Sequence, residues 1–340
     1  MATLVAHDGG FSAVKIMDND GNRASIPSVI GSPIQRSNFE LEGNGITMVE
    51  NGGTLYPVGG TALMHSSYSS GSRDSSWVTG KEWMRLFKAG LSELFTAPYT
   101  KVKLITGLPV YDWEDYKDEL RDNLMGELAF RRLGRDRQLV NITDCAVITQ
   151  PYGSLIAMAM DKNGRSLHNV WSDGYVGVAD IGGLTLNFLT VDQLREIHRL
   201  TSSDEFGLLA ALDGVRDSIR HDLRRLNPDT HEVSEWLARG WFQYQGERID
   251  IAKYAQPHML PLVESVMGRI KSAWPESGRF DAILLTGGGN SAIGRYLKAR
   301  MSTLQDGHPM FANVHVMEDA RWGNAKGYLG LANRMWGESA

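Results

Sequence analysis

Asp8-Gly-Gly-Phe-Ser-Ala-Val-Lys15 and Asp180-Ile-Gly-Gly-Leu-Thr185 are two versions of one pattern. Each follows a short β-type run, Thr3 to His7 and Tyr175 to Ala179, and each gives way to another, Ala13 to Met17 and Thr185 to Val191. Apolar alternation broken by an Asp-Gly turn reads as strand, tight turn, strand. One such hairpin stands in each half of the chain, which predicts an internal duplication. A third glycine cluster, Gly287-Gly-Gly289, ends the β run Ala282 to Thr286.

Glycine lets a turn close sharply and lets backbone amides approach an anion with no Cβ in the way. Two of the three clusters begin with an aspartate, and a carboxylate facing a phosphate-binding turn repels its ligand unless a cation lies between them. A hydrated Mg²⁺ resolves that repulsion. Lys15, on the returning strand, supplies a point charge for a phosphate. A single Asp-Gly turn is most often only a hairpin; three glycine turns at strand ends favour a nucleotide triphosphate site split between two halves. Gly-x4-Gly-Lys-Ser/Thr is absent, as is a strand followed by Gly-x-Gly-x-x-Gly and a helix, so P-loop and Rossmann enzymes fit poorly.

The rest of the sequence reads as alternating strands and helices, an α/β architecture. Trp83, Leu86, Phe87, Leu91, Leu94 and Phe95 share one helical face. Lys101 to Thr106 alternates as a strand, and Asp112 is placed to cap a helix carrying Trp113, Tyr116, Leu120, Leu124 and Leu128. Cys145 to Thr149 is a strand, with Cys145 read as a small buried residue, and Ser154 to Met160 is helical. Further helices fall near 206–225, 258–273, 291–301 and 323–335, with a strand at 313–317. Residues 32–80 are rich in Gly, Ser and Asn, most of all at 65–76, and read as a loop-rich, partly mobile insertion.

At 340 residues and 42% hydrophobic, the chain suits two domains. Thirty-seven glycines are about 11% of it, against roughly 7% in an average protein. A formal charge of −5 lacks the positive field that captures nucleic acid directly. One cysteine excludes an internal disulfide, the opening MATLVAHDGG has no secretion-signal pattern, and no run is long and apolar enough to span a membrane. These features predict a cytoplasmic protein.

The ordered set of motifs, completed by Leu285-Thr-Gly-Gly-Gly-Asn-Ser-Ala-Ile-Gly294, resembles the actin superfamily of ATPases. Within it, Ile105-Thr-Gly-Leu-Pro109 and Asp319-Ala-Arg-Trp-Gly-Asn-Ala-Lys-Gly-Tyr328 look most like the prokaryotic actin-like proteins that include plasmid segregation ATPases of the ParM type. The resemblance implies an actin-like fold of two RNase H-like domains, 1–160 with 320–340 and 161–319, hinged around ATP.

It also implies roles. Asp8 and Asp180 would hold Mg²⁺ through water. Gly9, Gly10, Phe11 and Ser12 in the first turn, and Gly182, Gly183, Leu184 and Thr185 in the second, would surround the phosphates, with Lys15 neutralising their charge. Gln150 stands where the family orients the attacking water, or is only a polar strand end. Gly287, Gly288 and Gly289 would pack under the adenosine, with Asn290 beside them. Asp204 and Glu205 either reach the ribose or are acids at a helix start complementing its dipole. A glutamine orients water without accepting its proton, which implies slow, Mg²⁺-dependent ATP hydrolysis to ADP and phosphate. The function implied is an ATP-dependent homopolymeric filament working through a DNA-bound adaptor. A small-molecule kinase and a non-polymerising ATP-binding scaffold remain as alternatives on the same fold.

Overall fold

The computed structural model describes residues 2–34, 45–50, 53–65, 69–70, 75–305, 308–309 and 311–337. It divides into two compact units, Met1–Leu167 with Asn324–Ala340, and His168–Gly323.

The first unit is built on β1 (Thr3–Gly9), β2 (Ala13–Asp18), β3 (Arg23–Pro27), α1 (Lys81–Leu94), β4 (Tyr99–Leu108), α2 (Val110–Leu124), β5 (Gly126–Phe130), β6 (Gln138–Thr149) and α3 (Gln150–Ala159). Its sheet runs β3-β2-β1-β4-β6-β5. β1, β2 and β3 form an antiparallel meander, β4 and β6 continue parallel to β1, and β5 closes the edge antiparallel to β6. Val5, Ala6 and His7 are fully buried, as expected for a central strand covered on both faces. On α1, Trp83, Leu86, Phe87 and Leu91 supply the buried stripe that the sequence spacing predicts.

The second unit repeats this order with β7 (Tyr175–Ile181), β8 (Leu186–Asp192), β9 (Arg195–Glu196), α4 (Leu209–Asp222), α5 (Thr230–Arg239), α6 (Ala252–Ala273), β10 (Ala282–Thr286), α7 (Asn290–Met301) and β11 (Val314–Val316). The sheet is β9-β8-β7-β10-β11, again three antiparallel strands followed by two parallel ones. The five-strand order shared by the two sheets is the repeat expected from the two hairpins, while β5 is added at the edge of the first sheet alone and the short strand Ser202–Asp204 pairs with β8 in the second. α8 (Gly323–Trp336) closes the chain, and its Tyr328 and Ala332 complete a cluster with Leu4, Ala6 and Ile105 in the first unit.

Several local expectations are corrected. The 32–80 segment is more regular than a loop: Ile46–Val49, Leu55–Val58, Ile30–Gly31 and Ser69–Ser70 form a small four-stranded sheet beside a helix, Gly60–His65. Most of the Ser-rich stretch at 65–76 lies outside the described residues. α2 is not capped by Asp112, which sits inside its first turn after Pro109, and it stops at Leu124. Gly126, at φ +92°, turns the chain so that Leu128 falls on β5 instead of continuing the helical face. α4 starts at Leu209; Asp204 ends a short strand paired to β8, so Asp204 and Glu205 do not open a helix. α6 begins at Ala252 and runs through Pro257 and Pro261. Cys145 is only half-buried; burial still pushes its thiol up to about 12.

Candidate functional site

In both sheets the residues singled out from sequence lie at the carboxyl ends of the parallel strands, where open α/β sheets bind ligands. Asp8 stands near the end of β1, directly opposite Lys15 in the β1–β2 register, and the Lys15 ammonium meets Asp8 Oδ2 at 3.1 Å. Both are buried, at 4% and 9% exposure, so the pair is held in a low-dielectric setting. β6 ends at Thr149, which places Gln150 as the first residue of α3 rather than the last of the strand. Its Nε2 donates to Asp8 Oδ1 at 3.4 Å. The first unit therefore gathers Asp8, Lys15 and Gln150 into one contact set.

The turn between β1 and β2 is Gly10-Phe11-Ser12. Ser28 Oγ donates to the Gly10 carbonyl at 2.6 Å, and Phe11 stacks on Trp77 with ring centroids 5.0 Å apart. A Cβ at Gly10 would lie 3.0 Å from the Lys15 ammonium. The space beside that ammonium is open only because residue 10 has no side chain.

Asp180, 4% exposed, occupies the matching place on β7, and the β7–β8 turn is closed by Gly182 N–H donating to Thr185 O at 2.8 Å. The third cluster packs directly against this turn. Gly289 N–H donates to Ile181 O at 2.8 Å. Gly287 has φ +88°, and a Cβ there would stand 2.2 Å from Asp180 Oδ1, so glycine is required on conformational and steric grounds alike. Gly288, at the apex, is exposed. The second unit thus brings Asp180, Gly182, Gly183, Leu184, Thr185, Gly287 and Gly289 together.

Two predicted contacts are committed elsewhere. Asn290 is buried, and its amide donates to Leu285 O at 3.0 Å while its Oδ1 packs over Gly294; it ties α7 to β10. Asp204 is ion-paired with Arg269 of α6 at 2.6 Å, and Glu205 is exposed. Sequence reasoning missed Gly207, whose Cα lies so near Gly183 that a Cβ would meet the Gly183 carbonyl at 2.2 Å. The Leu208 and Leu209 amides then bond to Gly182 O and Gly183 O, seating the start of α4 on the phosphate-type turn.

His7 was also missed. It is fully buried beside Asp8, with Nδ1 at 3.0 Å from Thr106 Oγ1 and edge-on contacts to Trp83 and Phe87. Burial, aided by the Lys15 charge, lowers its pKa to about 3. Between that value and the ordinary 6.5 the unfolded chain binds a proton that the folded chain refuses, so stability falls as pH drops through this window. Urea unfolding should show about 2–3 kcal/mol lost between pH 6.5 and 4.5 through this group. His7→Gln should lose correspondingly less; equal losses in the two proteins would show that the ring accepts a proton in the folded state.

The model for the actin-like protein N-terminal domain matches residues 6–153, and that for the C-terminal domain of the archaeal MreB-like actin homologues matches residues 178–299. No curated protein is matched by sequence. Among solved structures, the archaeal actin homologue Ta0583 is similar with a TM-score of 0.79 at 18% identity, covering 98% of this chain and 99% of its own. A ParM from a 15-stranded filament of Clostridium botulinum gives 0.72 at 17% identity, over 98% and 99%. Alp7A, described as an actin-like protein, gives 0.78 at 14%, over 98% and 97%. With both sheets, their order and their aspartate-led turns in place, the chain belongs to the actin-like proteins.

Proposed function

We propose that this chain is a slow, Mg²⁺-dependent ATPase whose subunits assemble into filaments with ATP and separate after hydrolysis to ADP and phosphate. The observation that carries the reading is the repeated aspartate-led hairpin, buried in each unit and packed in one case on Lys15 and Gln150, in the other on the Gly287–Gly289 turn. Solved relatives include the C. botulinum ParM filament, an Alp12 filament, and Ta0583 in complex with ADP.

Asp8 and Asp180 are each a buried carboxylate at a strand end, the kind of oxygen donor that a hydrated divalent cation takes. Mg²⁺ bound through water at such a carboxylate would supply charge neutralisation at the phosphates. Lys15 bonds Asp8 with one of three donors and keeps two for phosphate oxygens. The amides of Gly10, Phe11 and Gly183 would present further donors to the phosphates, while the Gly182 amide is spent on Thr185 O in closing its turn. Gln150 holds water by hydrogen bonds but cannot take its proton, which makes turnover slow and lets hydrolysis act as a timer. Subunit contacts that differ between nucleotide states would then convert hydrolysis into loss of lattice stability.

On this reading the protein is cytoplasmic and positions cargo, such as a plasmid, through a DNA-bound adaptor. Light scattering with ATP and Mg²⁺ should rise and then decay as phosphate is released, with filaments visible by negative-stain microscopy at the peak. Phosphate release without polymer would sink the filament claim, and polymer without phosphate release would sink the timer.

A further inference from the structure

A cluster of cationic side chains forms in the first unit where α1, β5 and the segment after β5 meet the strand Ile46–Val49. The Val49 amide donates to Arg131 O at 2.9 Å and the Leu133 amide to Thr47 O at 2.8 Å, so this stretch pairs like a strand and its side chains alternate. Arg132 takes one face, bonded to Glu93 and to the Gly45 carbonyl. Arg131 and Leu133 take the other. Arg135 is committed to the Ser92 carbonyl, and Arg85 forks onto Glu50 at 2.6 and 3.0 Å while lying 3.8 Å over the Tyr56 ring.

Those three arginines have structural duties. Lys81, Lys88, Arg131 and Arg137 have no carboxylate at ion-pair distance among the described residues, and all four line a single cavity of about 1050 Å³. Glu50, already held by Arg85, is the one carboxylate in its lining among the described residues. Met48, Leu55, Met84 and Phe130 supply apolar wall. Burial holds the Lys88 ammonium below its ordinary range; Glu50 offsets part of this and Arg85 adds to it. None of the lining residues belongs to the aspartate-led turns or to the Gly287–Gly289 turn.

We propose that this cavity is a second ligand site, for a small phosphorylated organic anion carrying at least two phosphate charges and an apolar body. Lys81, Arg131 and Arg137 are exposed and Lys88 is half-buried, so four like charges face one cavity in a chain of net charge −5, and a multiply charged anion is the ligand that such a lining attracts. Guanidinium groups match phosphate oxygens in pairs, while the lysines serve as point charges. The volume is that of a site for a whole organic ligand, and the apolar wall gives such a ligand a place for its non-phosphate part. The proposal is independent of ATP binding at the turns.

Calorimetric titration of the full chain with tripolyphosphate at low salt tests the charged half of the site. Wild type should show a binding class that weakens about tenfold or more in K88Q/R131Q and again in K81Q/R137Q. Both variants should keep the wild-type thermal midpoint, because none of the four groups has an ion-pair partner among the described residues. Citrate, the carboxylate comparator, should bind more weakly than tripolyphosphate. Absence of binding in wild type, unchanged binding in both double variants, or citrate binding as tight as tripolyphosphate would each overturn the assignment.

Discussion

Asp180→Asn should lower phosphate release from ATP by about 100-fold or more while leaving the fold in place. Asparagine keeps the shape of the side chain that Gly287 packs against, and the contact is close enough that a larger group would not fit. What changes is charge: a neutral amide at the end of β7 no longer attracts a hydrated divalent cation. Gln150→Ala separates binding from chemistry. It removes the amide that bonds Asp8 but no charge, so turnover should fall about tenfold or more with ADP affinity nearly unchanged. Phosphate-release assays paired with titration of a fluorescent ADP analogue distinguish the two. Full turnover in Asp180→Asn would show that the β7–β8 turn is only a hairpin.

The parts of this site legible in sequence were those set by local chemistry. Asp8 and Asp180 stood out because Asp-Gly interrupts an apolar alternation, and the same interruption fixed both hairpins. Gly287 was visible as a turn glycine, but its closeness to Asp180 depends on β10 pairing with β7, which no local pattern reports. The helical spacing that carried Leu128 into α2 ignored Gly126, a stop signal present in the sequence. α5 was readable in principle: Asp229 and Glu232 form a reciprocal capping box and Gly240 ends the helix at φ +85°. Lys15 faces Asp8 across the short β1–β2 turn, a pairing that the turn's length already implies and that accompanies the expected phosphate role. The basic cavity was hidden for a different reason. Its four cations come from positions 81, 88, 131 and 137, and they meet through tertiary contacts: the segment after β5 pairs with Ile46–Val49 and bonds to Ser92 and Glu93 of α1.

Gly327→Ala and Gly330→Ala, three residues apart on α8, should change stability in opposite directions. A helix interior favours alanine over glycine by roughly 0.5–1 kcal/mol, so both substitutions begin with the same gain. At Gly330 the added methyl meets nothing nearer than Asp161 O at 3.5 Å, an ordinary contact, and the gain survives. At Gly327 the methyl would stand 1.7 Å from the Gly153 carbonyl oxygen and 3.0 Å from the Ala157 amide of α3. Neither is the tip of a flexible side chain, so relief requires the two helices to part. Parting disturbs the Ser154 hydroxyl bond to Asn324 Oδ1 at 2.7 Å and the fully buried Tyr328, whose ring edge lies against Gly153 and whose hydroxyl lies against Gly107. Overpacking against backbone, with loss of that contact set, should cost about 3–5 kcal/mol. A cost of that size lowers the thermal midpoint of the first unit by about 10 °C, while Gly330→Ala raises it slightly. Scanning calorimetry of the full chain reads both, and equal midpoints for the two variants would mean that α3 and α8 do not cross at Gly153 and Gly327.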